Sequence, residues 1–110
     1  YVSEFLDGAY RDPQNLGSAV NSSTYEDEPY IDPQERFLLF SSLRPGRGRI
    51  YLSRNEGGIW QHAVDVSERI AHKGDVRFPQ ISRDGRYLFF ASNANGNWDI
   101  YWMTAPSFAE

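Results

Sequence analysis

The sequence predicts an all-β protein built from a repeated antiparallel unit, and two observations lead to this expectation. The 110-residue chain repeats itself at an offset of 50 residues: residues 29–52 align with residues 79–102 without a gap, and nine of the 24 positions are identical. Short aromatic-rich runs alternate with turns of Gly, Pro, Asn and Asp, and no segment has the sustained 3.6-residue periodicity of a helix. A period of 20 to 50 residues is typical of repeat architectures.

The predicted strands occupy equivalent positions in the two copies. The runs at 36–42 and 86–92 are short, apolar and closed by turn residues, a pattern typical of strands buried on both faces. Residues 49–53 and 98–103 form the strands that follow. Tyr1-Val2-Ser3 aligns with the end of the third strand, so the chain is expected to begin inside an earlier copy.

The turns between these strands are also repeated. Asp84-Gly85 lies between two hydrophobic runs, which is a strong hairpin signal because Gly tolerates a positive φ. The earlier copy has Asp32-Pro33-Gln34-Glu35 at the same place, where Pro suits a type I turn but the Gly is lost. The earlier copy of the turn is therefore degenerate in sequence. Further turns are predicted at 43–48, 93–97, 55–58 and 6–8.

Each unit is thus predicted to contain four short strands joined by three hairpin turns, with polar connectors at 15–28 and 65–77. Residues 66–72 are the nearest candidate for a helix, and one turn is the expected limit. The predicted organisation has three parts: the outer strands of a preceding unit with its connector (1–27), a unit (28–77), and the first three strands of an incomplete unit (78–110).

Composition excludes several classes of function. The net charge is −4, from 15 acidic and 11 basic residues, and such a mildly acidic chain lacks the electrostatic footprint of a nucleic-acid-binding protein. No run approaches the roughly 20 apolar residues that span a bilayer. Cysteine is absent, which excludes disulfides and thiolate metal sites within the chain.

Four antiparallel strands in a unit of about 40 to 50 residues describe a blade of a β-propeller. Residues 78–92 and 96–101 resemble the WD-like propeller repeat of the bacterial TolB-like family: Pro, a hydrophobic residue, Ser-Pro-Asp-Gly, a basic residue, an aromatic strand, a Gly/Asn loop and Asp-Ile-Tyr. This sequence departs from the pattern at Arg83, at Gln34-Glu35 and at Arg49. The resemblance implies a partial propeller of about two blades in a periplasmic or extracellular protein. It also implies that Phe89, Phe90, Ile100 and Tyr101 pack one blade against the next.

The sequence carries few features of a catalytic or metal-binding site. His62 and His72 are the only histidines, and they lack the spacing of a zinc site. Glu26-Asp27-Glu28 lacks the alternating spacing of a calcium loop, and such a run is more often solvated or paired with Arg. No Gly-x-Ser-x-Gly motif is present. We therefore predict neither a catalytic site nor a cofactor in this chain.

Binding is expected at the loops between the second and third strands, 43–49 and 93–98, together with connectors 22–28 and 72–77. Three arginines on one loop are more often solvated or paired with acids than a phosphate site. Trp98 aligns with Gly48, so the repeat does not require it, and it is the aromatic residue best placed to be functional. The candidate binding residues are Arg44, Arg47, Arg49, Asn93, Asn95, Asn97 and Trp98.

Two functions remain open at this point. The first is a non-catalytic propeller scaffold that binds a protein, a glycan or a cell-envelope component. The alternative is the propeller portion of an enzyme, either glycan-active or the gating propeller of a prolyl-oligopeptidase-type peptidase. Two blades do not close a ring, so missing blades of the same chain or other copies must complete it. Tyr1 and Tyr101 occupy the same strand position, which favours missing blades because head-to-tail copies would duplicate a strand.

Overall fold

The computed structural model describes residues 1–70 and 74–109 and shows an all-β protein made of antiparallel sheets. The described strands are β1 (Phe5–Leu6), β2 (Ala9–Tyr10), β3 (Glu26–Ile31), β4 (Phe37–Ser42), β5 (Arg49–Glu56), β6 (Ile59–Trp60), β7 (Val64–Asp65), β8 (Val76–Ile81), β9 (Tyr87–Ser92) and β10 (Asp99–Thr104). One turn of 3-10 helix covers Ser67–Ile70, within the segment where a single turn is predicted. The end of that predicted segment lies outside the described residues.

The central sheet is curled and has the order β3-β4-β5-β6, with β7 also paired to β5. β6 pairs with the end of β5 through Asn55 and Trp60, whereas β7 pairs with its middle through Leu52 and Val64. Together β6 and β7 act as one interrupted fourth strand. The second sheet has the order β8-β9-β10, and β1 and β2 form a separate hairpin near the N-terminus. We call the central sheet, with strands β3 to β7, the first unit, and the second sheet, with strands β8 to β10, the second unit.

The backbone pairing of these sheets repeats at the same offset as the sequence. The residues paired between β8 and β9 are those paired between β3 and β4, shifted by 50 positions. In the same way, each pair between β9 and β10 corresponds to a pair between β4 and β5. Near the N-terminus, the bridge between Val2 and Gln14 corresponds in the same way to the pair Leu52 and Val64. The sequence repeat is therefore also a repeat of strand register.

A bulge interrupts the first strand of each unit at the same place. Pairing shifts between Asp27 and Tyr30 in β3, and at the equivalent positions between Arg77 and Gln80 in β8. The residue before each proline is left-handed, with φ of 55° at Glu28 and 58° at Phe78. This conformation is strained for a residue that carries a side chain and precedes proline. Its presence in both units identifies it as a property of the repeat.

The turn between β3 and β4, which is degenerate in sequence, keeps the backbone geometry of its counterpart. Glu35 has a φ of 58°, and the equivalent Gly85 has a φ of 78°. The buried Asp32 carboxylate accepts hydrogen bonds from the backbone N–H of Arg36 at 3.1 Å and from its Nε at 2.7 Å. These bonds hold Glu35 in a conformation that Gly adopts without strain.

The two units pack face to face, and the connector between them contributes to their shared core. β8 lies against β3, β4 and β5 of the central sheet. The main hydrophobic cluster consists of Phe37, Leu39, Ile50, Leu52, Val66, Ile70, Val76, Leu88, Phe90 and Phe108. A second cluster joins the other face of the central sheet to the segment after β2, and it consists of Val20, Leu38, Phe40 and Ala63.

Two features differ from the expectations of sequence. Of the aromatic and apolar residues expected to pack between units, Phe90 is buried in the main core, but Phe89 and Ile100 are exposed. They lie on the outer face of the second sheet, which no other described strand covers. After β10 the chain also leaves the repeat pattern: Phe108 turns back and packs against Phe37, with 5.8 Å between the ring centroids.

Replacement of Phe90 by alanine should lower the free energy of unfolding by about 3–5 kcal/mol, as for other large core truncations. Phe89→Ala is the matched control, because this neighbouring ring is 40% exposed on the outer face. It should cost about 1 kcal/mol or less. Urea unfolding monitored by tryptophan fluorescence measures both, and equal losses would contradict the described packing.

The strained turn makes a second prediction. Glu35→Gly should raise the free energy of unfolding by about 0.5–1 kcal/mol. Gly relieves the strain of the left-handed conformation, and the larger conformational entropy that it loses on folding offsets part of this stabilisation. The reciprocal change, Gly85→Ala, should lower it by about 1 kcal/mol. Thermal unfolding followed by circular dichroism measures both variants. A destabilised Glu35→Gly protein would show that the turn carries no strain.

Candidate binding edge

The predicted binding loops and connectors meet along one edge of the two sheets, which we call the loop edge (residues 20–28, 43–49, 74–77 and 93–98). The β4–β5 loop is held between two connectors, because the Leu43 N–H donates to the Tyr25 carbonyl at 3.1 Å and the Val76 N–H donates to the Gly48 carbonyl at 3.0 Å. Asn93 joins the β9–β10 loop to the same region by accepting the Asp75 N–H at 2.8 Å. The N-terminal part of the predicted 72–77 connector lies outside the described residues.

Arg44 anchors the β4–β5 loop to the body of the protein. Its Nε lies 3.4 Å from Oε2 of Glu26, and its guanidinium group donates to the carbonyl of Val20. The same group lies over the ring of Tyr51, 4.6 Å from the centroid, and beside Phe40. Arg44 is therefore held by contacts within the chain.

Glu26 is the polar centre of this anchor. Its carboxylate accepts hydrogen bonds from the Ser22 N–H at 2.8 Å and from the hydroxyls of Ser22 and Ser42 at 2.5 and 2.9 Å. Burial acts to raise the pKa of Glu26, but the hydrogen bonds from Ser22 and Ser42 and the charge of Arg44 outweigh it, so the pKa is lowered. The ionised carboxylate consequently stabilises the folded state.

Arg49 is also paired within the chain. Its Nε lies 3.0 Å from the Asp65 carboxylate on β7. Burial acts to raise the pKa of Asp65, yet hydrogen bonds from Ser67 and Arg49 lower it overall. Arg47, at the tip of the loop, is exposed. Of the three candidate arginines, Arg47 is the one placed to contact another molecule.

The β9–β10 loop, like the β4–β5 loop, contains both residues bonded within the chain and exposed residues. Asn93 bonds the connector, and Asn95 Nδ2 donates to the Tyr101 hydroxyl at 2.8 Å. Asn97 is exposed, and Trp98 is 49% exposed. The loop edge therefore presents Arg47, Asn97 and Trp98, whereas the other four candidate residues position the loops.

Asp27 and Glu28 belong to the acidic run that was expected to be solvated or paired with Arg, and they form an ion cluster with Arg77, a partner that the sequence analysis did not name. The Arg77 guanidinium lies 3.3 Å from Asp27 and 3.0 Å from Glu28, so it joins the first strands of the two units. Buried Glu28 Oε1 and Arg77 Nε have no hydrogen-bond partner. The sequence does contain a signal, because Asp27 and Arg77 are opposite charges at equivalent positions of the repeat.

Two concave surfaces lie away from the tips of these loops. A groove of about 520 Å³ runs between the N-terminal residues and the central sheet, and its apolar wall includes Val2, Ile31, Leu38 and Phe40. A second groove of about 470 Å³ lies between the turns at 32–35 and 82–85 and has a more polar lining.

The described residues contain neither a metal cluster nor a membrane-spanning helix. Among residues 1–70 and 74–109, no group of three or more His, Cys, Asp or Glu side chains is placed to hold a metal ion. In the same part of the chain, no helix is long and apolar enough to cross a membrane.

Comparison with known proteins gives no assignment: no protein-family model matches the chain, and no curated protein matches it significantly.

The Glu26 anchor predicts a specific pH dependence. Because the folded pKa lies below the ordinary value of 4.5, the stabilisation is present above that value and is lost as the pH falls through the folded pKa. Glu26→Gln should therefore be less stable than the wild type at pH 7, and the difference should shrink in acid. Urea unfolding across this pH range tests it. The exposed Glu56→Gln is the control, and an equal effect of both substitutions would contradict the anchor.

Proposed function

We propose that this chain forms successive blades of a β-propeller and acts as a non-catalytic binding scaffold, in the manner of the WD-like repeats that its sequence resembles. The observation that carries the proposal is the strand register that repeats, at the offset of the sequence repeat, in two sheets packed face to face. A propeller blade is a four-stranded antiparallel sheet, and β3, β4, β5 and the interrupted strand β6–β7 have that order.

The packing between the units also supports a propeller. In repeat proteins each unit contacts mainly its neighbours, and the shared core lies between units. Here the faces of β4 and β5 meet those of β8 and β9, while the connector residues Val66 and Ile70 fill the interface. The opposite face of β4 meets Val20, which is the equivalent of Ile70 in the preceding connector. The central sheet thus packs against a connector on each face.

The proposed binding surface is the loop edge. Its framework is fixed by hydrogen bonds and ion pairs, while its exposed residues differ between the two copies, as expected for loops on a rigid scaffold. Arg47 supplies a cation, Asn97 an amide, and Trp98 a flat apolar surface. Arg and Trp are enriched among the residues that dominate the energy of protein interfaces. We therefore propose a protein partner, or a protein-associated component of the cell envelope, in a periplasmic or extracellular setting.

A photo-crosslinking amino acid placed at Arg47 or Asn97 tests this function. The same partner should be captured from both positions in the native cell extract, because both lie on the loop edge. The control positions are Gln34 and Arg83, which are exposed in the turns beside the second groove. The proposed binding surface would be refuted if the loop-edge positions gave no adduct, or if the control positions gave the same adducts as the loop-edge positions.

A further inference from the structure

The outer face of the second sheet carries an apolar surface that is covered elsewhere in the same protein. Phe89, Ile100 and Trp102 lie on this face with exposed fractions of 40%, 74% and 64%, and Tyr87 contacts Trp102 edge to face. At the equivalent positions of the first unit, Phe37, Leu39, Ile50 and Leu52 are buried in the main core. The chain therefore contains both the covered and the uncovered form of one packing surface.

The surface that fits against this face is present at the other end of the molecule. Within the chain, the second unit presents Val76, Leu88 and Phe90 to the first, with Ile81 packed beside them. Their equivalents Glu26, Leu38, Phe40 and Ile31 line the groove of about 520 Å³ beside the N-terminal residues. Leu38 and Phe40 are buried at its base, and Ile31 is 46% exposed in it. The groove thus corresponds to the place that a preceding unit's first two strands would occupy.

We propose that a second copy of this chain places its outer face, centred on Phe89, Ile100 and Trp102, in this groove. The contact would reproduce between molecules the interface that already joins the two units within one molecule. It is heterologous, because different surfaces meet, and so it propagates head to tail into a ring or a short chain of copies.

Charge complementarity supports this arrangement. Inside the chain, Asp27 of the first unit faces Arg77 of the second, with 3.3 Å between carboxylate and guanidinium. Between copies, Arg77 would take the place of Asp27, and Asp27 of the second copy would take the place of Arg77. The signs exchange, but opposite charges still meet. Like charges at these two equivalent positions would instead oppose association.

Side-chain size is complementary at the neighbouring position. A Cβ added to Gly48 would lie 2.9 Å from Cγ of Arg77 and 3.3 Å from the Val76 carbonyl oxygen, so the internal interface favours a glycine at this position. Between copies, Trp98 would take the place of Gly48, and the shorter Asp27 would take the place of Arg77. The large and small residues exchange sides together. In such an assembly Trp98 belongs to the contact between copies, and Arg47 and Asn97 remain exposed at the loop tips for a partner.

The duplicated strand is the main obstacle, and it involves few contacts. Residues 1–4 correspond to 101–104, so the incoming β10 must replace them. Three backbone hydrogen bonds would break, two between Val2 and Gln14 and one from Arg11 to Glu4, each 2.7 Å long, together with the bond from the Ser3 hydroxyl to the Arg11 carbonyl. Trp102 of the incoming strand is equivalent to Val2 and to Leu52, which pairs with Val64, and so it can pair with Gln14 in the same register.

Multi-angle light scattering of the whole chain over a wide concentration range tests the proposal. The wild type should increase in mass with concentration to whole multiples of 12.7 kDa. Ile100→Asp, on the outer face, should return it to the monomer mass. Ile59→Asp is the matched control, because Ile59 is 68% exposed but lies in the β6 hairpin, and it should associate like the wild type.

Mixing two variants separates head-to-tail contact from general stickiness. Ile31→Asp places a charge in the groove and leaves the outer face intact, whereas Ile100→Asp does the reverse. Each variant alone should be monomeric, and an equal mixture should form a dimer but nothing larger. A wild type that stays monomeric, or association that Ile100→Asp does not reduce, would overturn the proposal. Circular dichroism of each variant identifies loss of fold. The crosslinking experiment at the loop edge tests the proposed function separately, and its outcome does not depend on whether copies associate.

Discussion

Alternate side chains of β4 enter two different hydrophobic clusters, and this two-sided burial constrains the rest of the fold. Phe37 and Leu39 point into the core shared with the second unit, whereas Leu38 and Phe40 point into the cluster beside the N-terminal segment. A slip of one residue would exchange the two sets, so the register of β4 is strongly specified. Because β3 and β5 both pair with β4, its register also positions the loops and the ion cluster at one edge.

Local patterns in the sequence predict most of the secondary structure. The strands, the hairpin at Asp84-Gly85 and the single helical turn are encoded by residues close together in the chain, and the sequence repeat transfers each assignment to its partner. The turn at Glu35 could not be predicted in this way. Its geometry depends on the buried Asp32 carboxylate and its bonds to Arg36, which substitute for the conformational freedom of glycine.

The candidate site could be predicted only in part. Loop positions follow from the repeat, but the role of each side chain depends on contacts between distant residues. Arg44 and Arg47 belong to one loop, yet Arg44 bonds Glu26 and stacks on Tyr51 while Arg47 is exposed. Similarly, the position of Phe108 could not be predicted from the repeat. This residue follows β10 in sequence and packs against Phe37, a contact that has no equivalent in the repeat pattern.

The proline in the first strand of each unit makes the two edges of the sheet unequal in their ability to pair with another strand. Pro29 and Pro79 lie on β3 and β8, the strands at one margin of their sheets, and proline has no N–H to offer a neighbouring strand. The bulge beside each proline further disrupts that margin, and such devices protect natural sheets from joining edge to edge. The opposite margin, β10, has neither proline nor bulge and carries Ile100 and Trp102. An additional strand can therefore pair with β10, whereas the proline and the bulge of β8 disfavour edge-to-edge pairing at the opposite margin.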